Sequence, residues 1–347
     1  MNLNYTKQLL KEKLNNNDFD SYAIKVFING RKEVMTSENV NMDTYFDVAS
    51  MGKVLVTSTL ILKAIGEKKL NLTDTLDSFF ETVPEDKKDI TLHQLLTHTS
   101  GIVRIPIPNR VADCGKDKIA ELILDTPLAF KPGSDYVYSC NGYILLGFIL
   151  EKLYGMPLDV IYRETTVKTL DLTRSRFKIA LDEKNAAICY RCKDVGKIPC
   201  DDENVYTMGG VAGSGGSFSS LNDIDKFIKA ILEKDNRLYK EELFDLAERD
   251  YTPEFAEGRG LGYLIVNEKY HQTGELFPTG SFGHCGHCGQ SFFINRDMNM
   301  YVIILTNATR FASMKNDFKW YDYGVIMKMR EELHNEIYKD LKSENLL

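Results

Sequence analysis

Residues 50–66 read SMGKVLVTSTLILKAIG. From Ser50 to Ile65 the apolar residues recur at helical spacing, and Gly66 can take the left-handed conformation in which helices often end. The stretch is expected to be a helix whose first turn carries Ser50 and Lys53. On its N-terminal side, residues 22–28 and 31–37 are two short apolar runs joined by Asn29-Gly30, a dipeptide suited to a type I′ hairpin. Before them, MNLNYTKQLLKEKLNNNDFD reads as a short amphipathic helix followed by a polar break. On the C-terminal side the helical pattern dominates to about residue 250, clearest over 143–153 and 223–232, with loops rich in Gly, Pro and Asp between. After residue 255 strand-like runs return at 261–266, 290–294 and 300–305, the last two linked by Asn295-Arg296-Asp297, and residues 321–342 form a closing amphipathic helix. This order predicts one α/β domain built from residues 1–66 and 255–347, with a helical domain of residues 67–254 inserted in it.

Composition narrows the function. The 347 residues are 43% hydrophobic and 27% charged, as in a folded globular protein. A net charge of −7 and a pI near 5.5 oppose attraction to phosphate backbones or anionic lipid, so neither nucleic acid nor a membrane is an expected partner. The N-terminus lacks the apolar core of a signal peptide, and no stretch approaches the roughly 20 apolar residues that cross a bilayer. A cytoplasmic location is therefore expected, with reduced thiols. The seven cysteines cannot all pair within one chain.

Ser50-Met51-Gly52-Lys53 carries the chemistry. Spacing i, i+3 puts the hydroxyl and the amine on one helical face. A serine hydroxyl is a poor nucleophile until a base takes its proton, and a desolvated lysine with a lowered pKa can be that base. On its own the pattern is better described as a helix cap followed by a solvated lysine. The glycine-rich loop Gly209 to Gly216 lacks the Gly-Lys-Ser/Thr ending of a phosphate-binding loop.

Other segments decide between those readings. Residues 90–102 (ITLHQLLTHTSGI) and 132–147 (PGSDYVYSCNGYILLG) resemble hallmark segments of the serine β-lactamase and penicillin-recognising superfamily. Residues 283–291 (GHCGHCGQS) resemble its third box, and 202–224 (DENVYTMGGVAGSGGSFSSLNDI) its glycine-rich loop. The branch that looks nearest is the class C-like esterases and DD-peptidases. The resemblance implies an antiparallel sheet flanked by helices plus a helical domain, with the site in the cleft between them. It implies Ser50 as nucleophile, Lys53 as its proton partner, and Tyr138, with a pKa lowered by adjacent cations, as proton shuttle. The backbone N–H groups of Ser50 and His287 would form the oxyanion hole. Cys140, Asn141, His284, Cys285 and Gly286 would line the substrate site, with His284 turned toward Tyr138. His98 is expected to tie loop backbone rather than act in catalysis.

Two positions depart from the family pattern. Cys140 stands where Tyr-Ser-Asn is common, with Asn141 one place later, and His284 stands where β-lactamases generally carry lysine. Cys189-x-x-Cys192 and Cys285-x-x-Cys288 have metal-ligand spacing, but small apolar packing explains reduced thiols as well, and no metal or cofactor is expected. The expected function is hydrolysis of a small ester, amide or peptide through an acyl-Ser50 intermediate. Rivals are a β-lactamase or D-amino-acid peptidase, an acylated sensor without turnover, and a zinc-binding protein on the same fold.

Overall fold

The computed structural model describes residues 1–180, 183–187, 189, 200–255, 257–269, 272–316 and 322–347. The hairpin forms between β1 (Tyr22–Ile28) and β2 (Arg31–Thr36), and its turn residues Asn29 and Gly30 take φ of 49° and 82°, the left-handed pair a type I′ turn requires. The other strands of the sheet come from the far end of the chain: β3 (Gly258–Arg259), β4 (Leu264–Ile265), β5 (Phe282–Cys285), β6 (Ser291–Asn295) and β7 (Met300–Thr306). The order is β2-β1-β7-β6-β5-β4-β3, antiparallel at every pair, so the N-terminal hairpin docks on the last strand. This is the α/β class with an antiparallel sheet that the sequence predicts.

Five helices bear on the site: α1 (Asn4–Asn15), α2 (Thr59–Gly66), α3 (Cys140–Tyr154), α4 (Leu221–Leu232) and α5 (Tyr323–Ser343). Strand alternation divides the sheet's side chains between two cores. Phe292, Ile294, Ile303 and Leu305 pack toward α2, α3 and α4, whereas Ile24, Val26, Phe293 and Ile304 pack under α1 and α5. Burial of either set contributes on the order of 1.5–3 kcal/mol per large side chain.

The expected helix from Ser50 to Ile65 is not uniform. Ala49–Met51 is a 3₁₀ turn, Lys53–Ser58 is π-helical, and only Thr59–Gly66 is α-helical. The carbonyl of Val54 accepts the main-chain N–H of Thr59 across the wider turn, and the Thr59 hydroxyl also donates to it at 2.8 Å. Among the described residues, Ala49–Gly66 is also long and apolar enough to cross a bilayer, contrary to the sequence expectation, but 78% of it is buried inside the protein. Val54, Leu60 and Ile61 place it in the larger core.

A short second sheet fastens this segment. Ser217–Ser219 pairs antiparallel with Phe46–Asp47 on one side and Arg176–Phe177 on the other, so the end of the glycine-rich loop is tied to the residues just before Ser50.

Candidate active site

Ser50 follows a strained residue. Ala49 sits at φ 48°, a region that disfavours side-chain-bearing residues, and its N–H donates to Asp47 Oδ1 at 2.8 Å. The 3₁₀ turn that follows eclipses positions i and i+3, and Lys53 Nζ comes to 3.0 Å from Ser50 Oγ. Lys53 is fully buried; its other donors reach the Ser214 carbonyl at 2.9 Å and Cys140 Sγ at 3.5 Å.

The charge state differs from the sequence expectation. Burial pulls the Lys53 pKa down, but Cys140 and Tyr138 beside it raise it further, so the net shift is upward rather than downward. Tyr138 shifts upward too: burial of its phenol outweighs the ammonium of Lys53, whose Nζ lies 5.0 Å from the ring centre. Neither group therefore rests in the lowered state expected. The resting pair holds both protons, and one must leave before Ser50 can be activated.

Tyr138 is held by its neighbours. His98 Nδ1 accepts the N–H of Ser139 at 3.2 Å, the His98 carbonyl accepts the N–H of Val137 at 3.1 Å, and the two rings stand 4.5 Å apart. His98 thus ties the backbone on both sides of Tyr138, as expected, and burial keeps it neutral. Ser139 caps α3 through the N–H of Gly142 at 3.3 Å.

On the sheet side, His284 is buried with its ring 6.3 Å from that of Tyr138. Its Nδ1 lies 2.8 Å from the carbonyl oxygen of Cys285, which can only accept, so Nδ1 carries the proton. Nε2 is then an acceptor, and among the described residues it has no partner. Burial, followed by the cations of Arg259 and Lys53, pushes the His284 pKa well below its usual value. His284 therefore offers a lone pair where the family's lysine would offer a cation.

Gly286 lets the strand end approach the serine. A Cβ there would stand 3.0 Å from the Val48 carbonyl and 3.2 Å from Ala49 Cβ. His287 follows and lines the same cleft as Ala49, Ser50, Ser214 and Gly215, with no partner for its main-chain N–H among the described residues.

Two expected substrate contacts lie elsewhere. Cys285 pairs across the ladder with Ser291, whose hydroxyl bonds His334 of α5, and Cys285 packs in the core under that helix. A side-chain period of two puts it on the face opposite His284, so its thiol does not line the cleft. Asn141 is fully buried in α3, where Asn204 Nδ2 lies 3.5 Å from its carbonyl oxygen. One residue along a helix turns the side chain by about 100°, so Asn141 does not replace the amide missing at position 140. The Cys-x-x-Cys spacings likewise build no paired site: Cys285 and Cys288 diverge, and Cys192 lies outside the described residues.

The structure adds residues that the sequence reading passed over. Arg259 of β3, 3% exposed, places its guanidinium 5.3 Å from the Tyr138 ring centre. It donates to Tyr136 at 2.9 Å and pairs with Glu257, with Nε 3.1 Å from Oε2. Buried Arg330 of α5 donates to the carbonyls of Gly286 at 3.2 Å and Gln290 at 3.3 Å, bracketing the turn that carries His287. Gln290 in turn donates to the carbonyl of Asp47. Arg259 lies in Glu257-Gly258-Arg259-Gly260, ahead of the apolar run at 261–266, and Arg330 lies on an amphipathic helix, so local sequence gives no signal for either.

The profile of the family described as Beta-lactamase matches residues 6–322. A putative D-alanyl-D-alanine carboxypeptidase of Escherichia coli (strain K12) is 29% identical over 304 residues, which cover 76% of this chain and 69% of the relative. In fold the chain is similar to the octameric penicillin-binding protein homologue from Pyrococcus abyssi, with a TM-score of 0.71, 22% identity, and coverage of 88% of this chain and 74% of that one. It is also similar to EstCE1, a hydrolase with promiscuous acyltransferase activity, with a TM-score of 0.74, 16% identity, and coverage of 96% and 98%.

Proposed function

The chain belongs to the beta-lactamase family and is a serine hydrolase, and from that premise we propose that Ser50 is the acylated residue, served by Lys53 and Tyr138. The observation that carries this is the 3.0 Å contact between Nζ of the fully buried Lys53 and Oγ of the half-buried Ser50 at the cleft. Loss of one proton from the Lys53–Tyr138 pair supplies the base. The Ser50 oxygen then attacks the substrate carbonyl carbon, and its proton passes to that pair. The carbonyl electrons move to oxygen, where the N–H groups of Ser50 and His287 would stabilise the anion. Collapse breaks the bond to the leaving alcohol or amine, which takes the proton through Tyr138. Water attacks the acyl-Ser50 ester by the same route in reverse, giving the free acid and Ser50.

The family acts on small esters, amides or peptides. Within that class we propose uncharged activated esters as better substrates than β-lactams. His284 presents a neutral acceptor, and the nearby cation Arg259 is already engaged by Glu257, so neither offers a free positive charge to a substrate carboxylate. The relative's name makes D-alanyl peptides the second reading. A panel of p-nitrophenyl butyrate, nitrocefin and a D-alanyl amide separates the two.

The test of Ser50 is fluorophosphonate labelling with mass mapping. Labelling is expected at Ser50, and Ser50→Ala is expected to lose labelling and at least about 10⁴-fold in kcat. Activity of Ser50→Ala within tenfold of wild type overturns the assignment.

A further inference from the structure

Behind the turn that carries the His287 N–H, three ligand atoms converge. A carboxylate oxygen of Asp201, an imidazole nitrogen of His287 and the thiol of Cys288 lie within 4.8 Å of one another. The Cys288 thiol donates to Asp201 Oδ2 at 3.1 Å, and His287 Nε2 is 3.8 Å from the same oxygen. Metal–ligand bonds of about 2.0–2.3 Å in a tetrahedral site put neighbouring ligand atoms about 3.2–3.8 Å apart. The two separations are thus close to those around a single bound cation.

The carboxylate is already oriented. Thr309 Oγ1 donates to Asp201 Oδ2 at 2.8 Å, and the Asp201 main-chain N–H donates to Asp47 Oδ2 at 3.0 Å. Such outer contacts fix a ligand's direction before the ion arrives. Cys288 is 1% exposed and Asp201 5%, whereas the His287 side chain is 21% exposed and lines the cleft beside Ser50. Three protein ligands with a fourth direction open to the cleft is the arrangement of a site that keeps water on its metal.

We infer that Asp201, His287 and Cys288 form a site for a thiophilic divalent cation, zinc above all, and that the bound cation slows acylation of Ser50. A thiol, an imidazole and a carboxylate suit zinc and cobalt; magnesium and calcium take oxygen ligands instead. Zinc replaces the thiol proton: the Zn–S bond forms as Cys288 releases one proton to solvent, while His287 binds through neutral Nε2 and Asp201 as carboxylate. The site passes from one net negative charge to none. Because His287 carries both a ligand nitrogen and the main-chain N–H of the oxyanion turn, the cation holds that turn to its own geometry rather than to that of the tetrahedral intermediate. A misplacement of about 1 Å there costs about 10²-fold. The inhibitory half rests on the reading of Ser50 and His287 given above; the site itself does not.

The test titrates the full chain, reduced and stripped of metal, with Co²⁺ and follows thiolate-to-cobalt absorption in the near ultraviolet. Saturation at one equivalent is expected. The absorption should vanish in Cys288→Ser and Cys288→Ala and weaken tenfold or more in apparent affinity in Asp201→Asn. It should persist in Cys285→Ser, whose thiol faces α5. In parallel, one equivalent of Zn²⁺ should slow fluorophosphonate labelling of Ser50 tenfold or more in wild type and leave the labelling rate of Cys288→Ser unchanged. No cobalt absorption, or absorption that survives in Cys288→Ser, overturns the site. Saturated absorption with an unchanged labelling rate overturns the inhibition. A protein that shows the cobalt spectrum but is not labelled at Ser50 even without metal counts against Ser50 as nucleophile and against the inhibition, while the site stands on its spectrum.

Discussion

The thiol of Cys140 lies 3.5 Å from the ammonium of Lys53, in the place where the box that residues 138–140 resemble commonly carries an asparagine amide. With Ser50 Oγ and the Ser214 carbonyl as further acceptors, the three protons of the ammonium each have a direction. Lys53 is thereby held charged at rest, although it is fully buried.

That arrangement dictates the pH profile. The base form of the Lys53–Tyr138 pair requires loss of a proton, and both groups are shifted above their ordinary values of about 10.4 and 10. The active fraction therefore rises with pH, by about tenfold per unit while the pH is below the first pKa of the pair. Initial rates with p-nitrophenyl butyrate should show kcat/KM climbing from about pH 6 to about pH 9, after correction for spontaneous hydrolysis. In Tyr138→Phe, kcat should fall by about 10²- to 10⁴-fold with little change in KM. A profile that is flat across that range, or a loss confined to KM, would contradict the assignment.

Thiol chemistry separates the two faces of the sheet. A small methylthiolating reagent such as methyl methanethiosulfonate should inactivate the enzyme by forming a Cys140–S–SCH3 disulfide beside Lys53, with methanesulfinate as leaving group, and Cys140→Ser should resist it. Cys285→Ala, changed in the core under α5, should keep wild-type kcat/KM and lose only about 1 kcal/mol of stability. Inactivation that persists in Cys140→Ser and disappears in Cys285→Ala would reverse this placement.

Specificity should follow the two departures from the family pattern. Cys140→Asn supplies an amide for a substrate side chain, and His284→Lys supplies a cation for a carboxylate. A hydrogen bond to a charged group contributes about 1.5–3 kcal/mol, so the double variant should gain about ten- to a hundredfold in nitrocefin turnover relative to the butyrate ester. The same burial and cations that keep His284 neutral will hold back the lysine, so the gain should sit toward the lower end. Wild-type kcat/KM for nitrocefin equal to that for the ester would sink the idea.

The pair beneath Tyr138 is a stability determinant. Glu257 and Arg259 have side chains 11% and 4% exposed, so removing one leaves the other buried without its counter-charge. Arg259→Ala should cost about 3–5 kcal/mol. Urea unfolding reads it, and the double variant Arg259→Met/Glu257→Leu should recover much of the loss. A single-variant loss below about 1 kcal/mol would mean the pair contributes no more than an exposed one.

The family, the antiparallel α/β class and the segments that meet at Ser50 are legible in the order of residues along the chain. Local pattern carries those features: the Asn29-Gly30 turn, the apolar runs of β6 and β7, and the i, i+3 spacing of Ser50 and Lys53 are all set by residues within a few positions of one another. Which side chains face the cleft, and which protons they keep, depends on how the elements pack. Cys285 and His284 are adjacent in the chain, yet the pleat sends one under α5 and the other toward Tyr138. The pKa shifts of Lys53 and Tyr138 reverse because burial and near neighbours, Cys140 among them 87 positions away from Lys53, set the balance. Cys288 finds Asp201 rather than the cysteine three residues before it. A spacing rule reports which groups can share a face of one element; desolvation and contact across elements depend on how those elements pack, and that information lies in the fold.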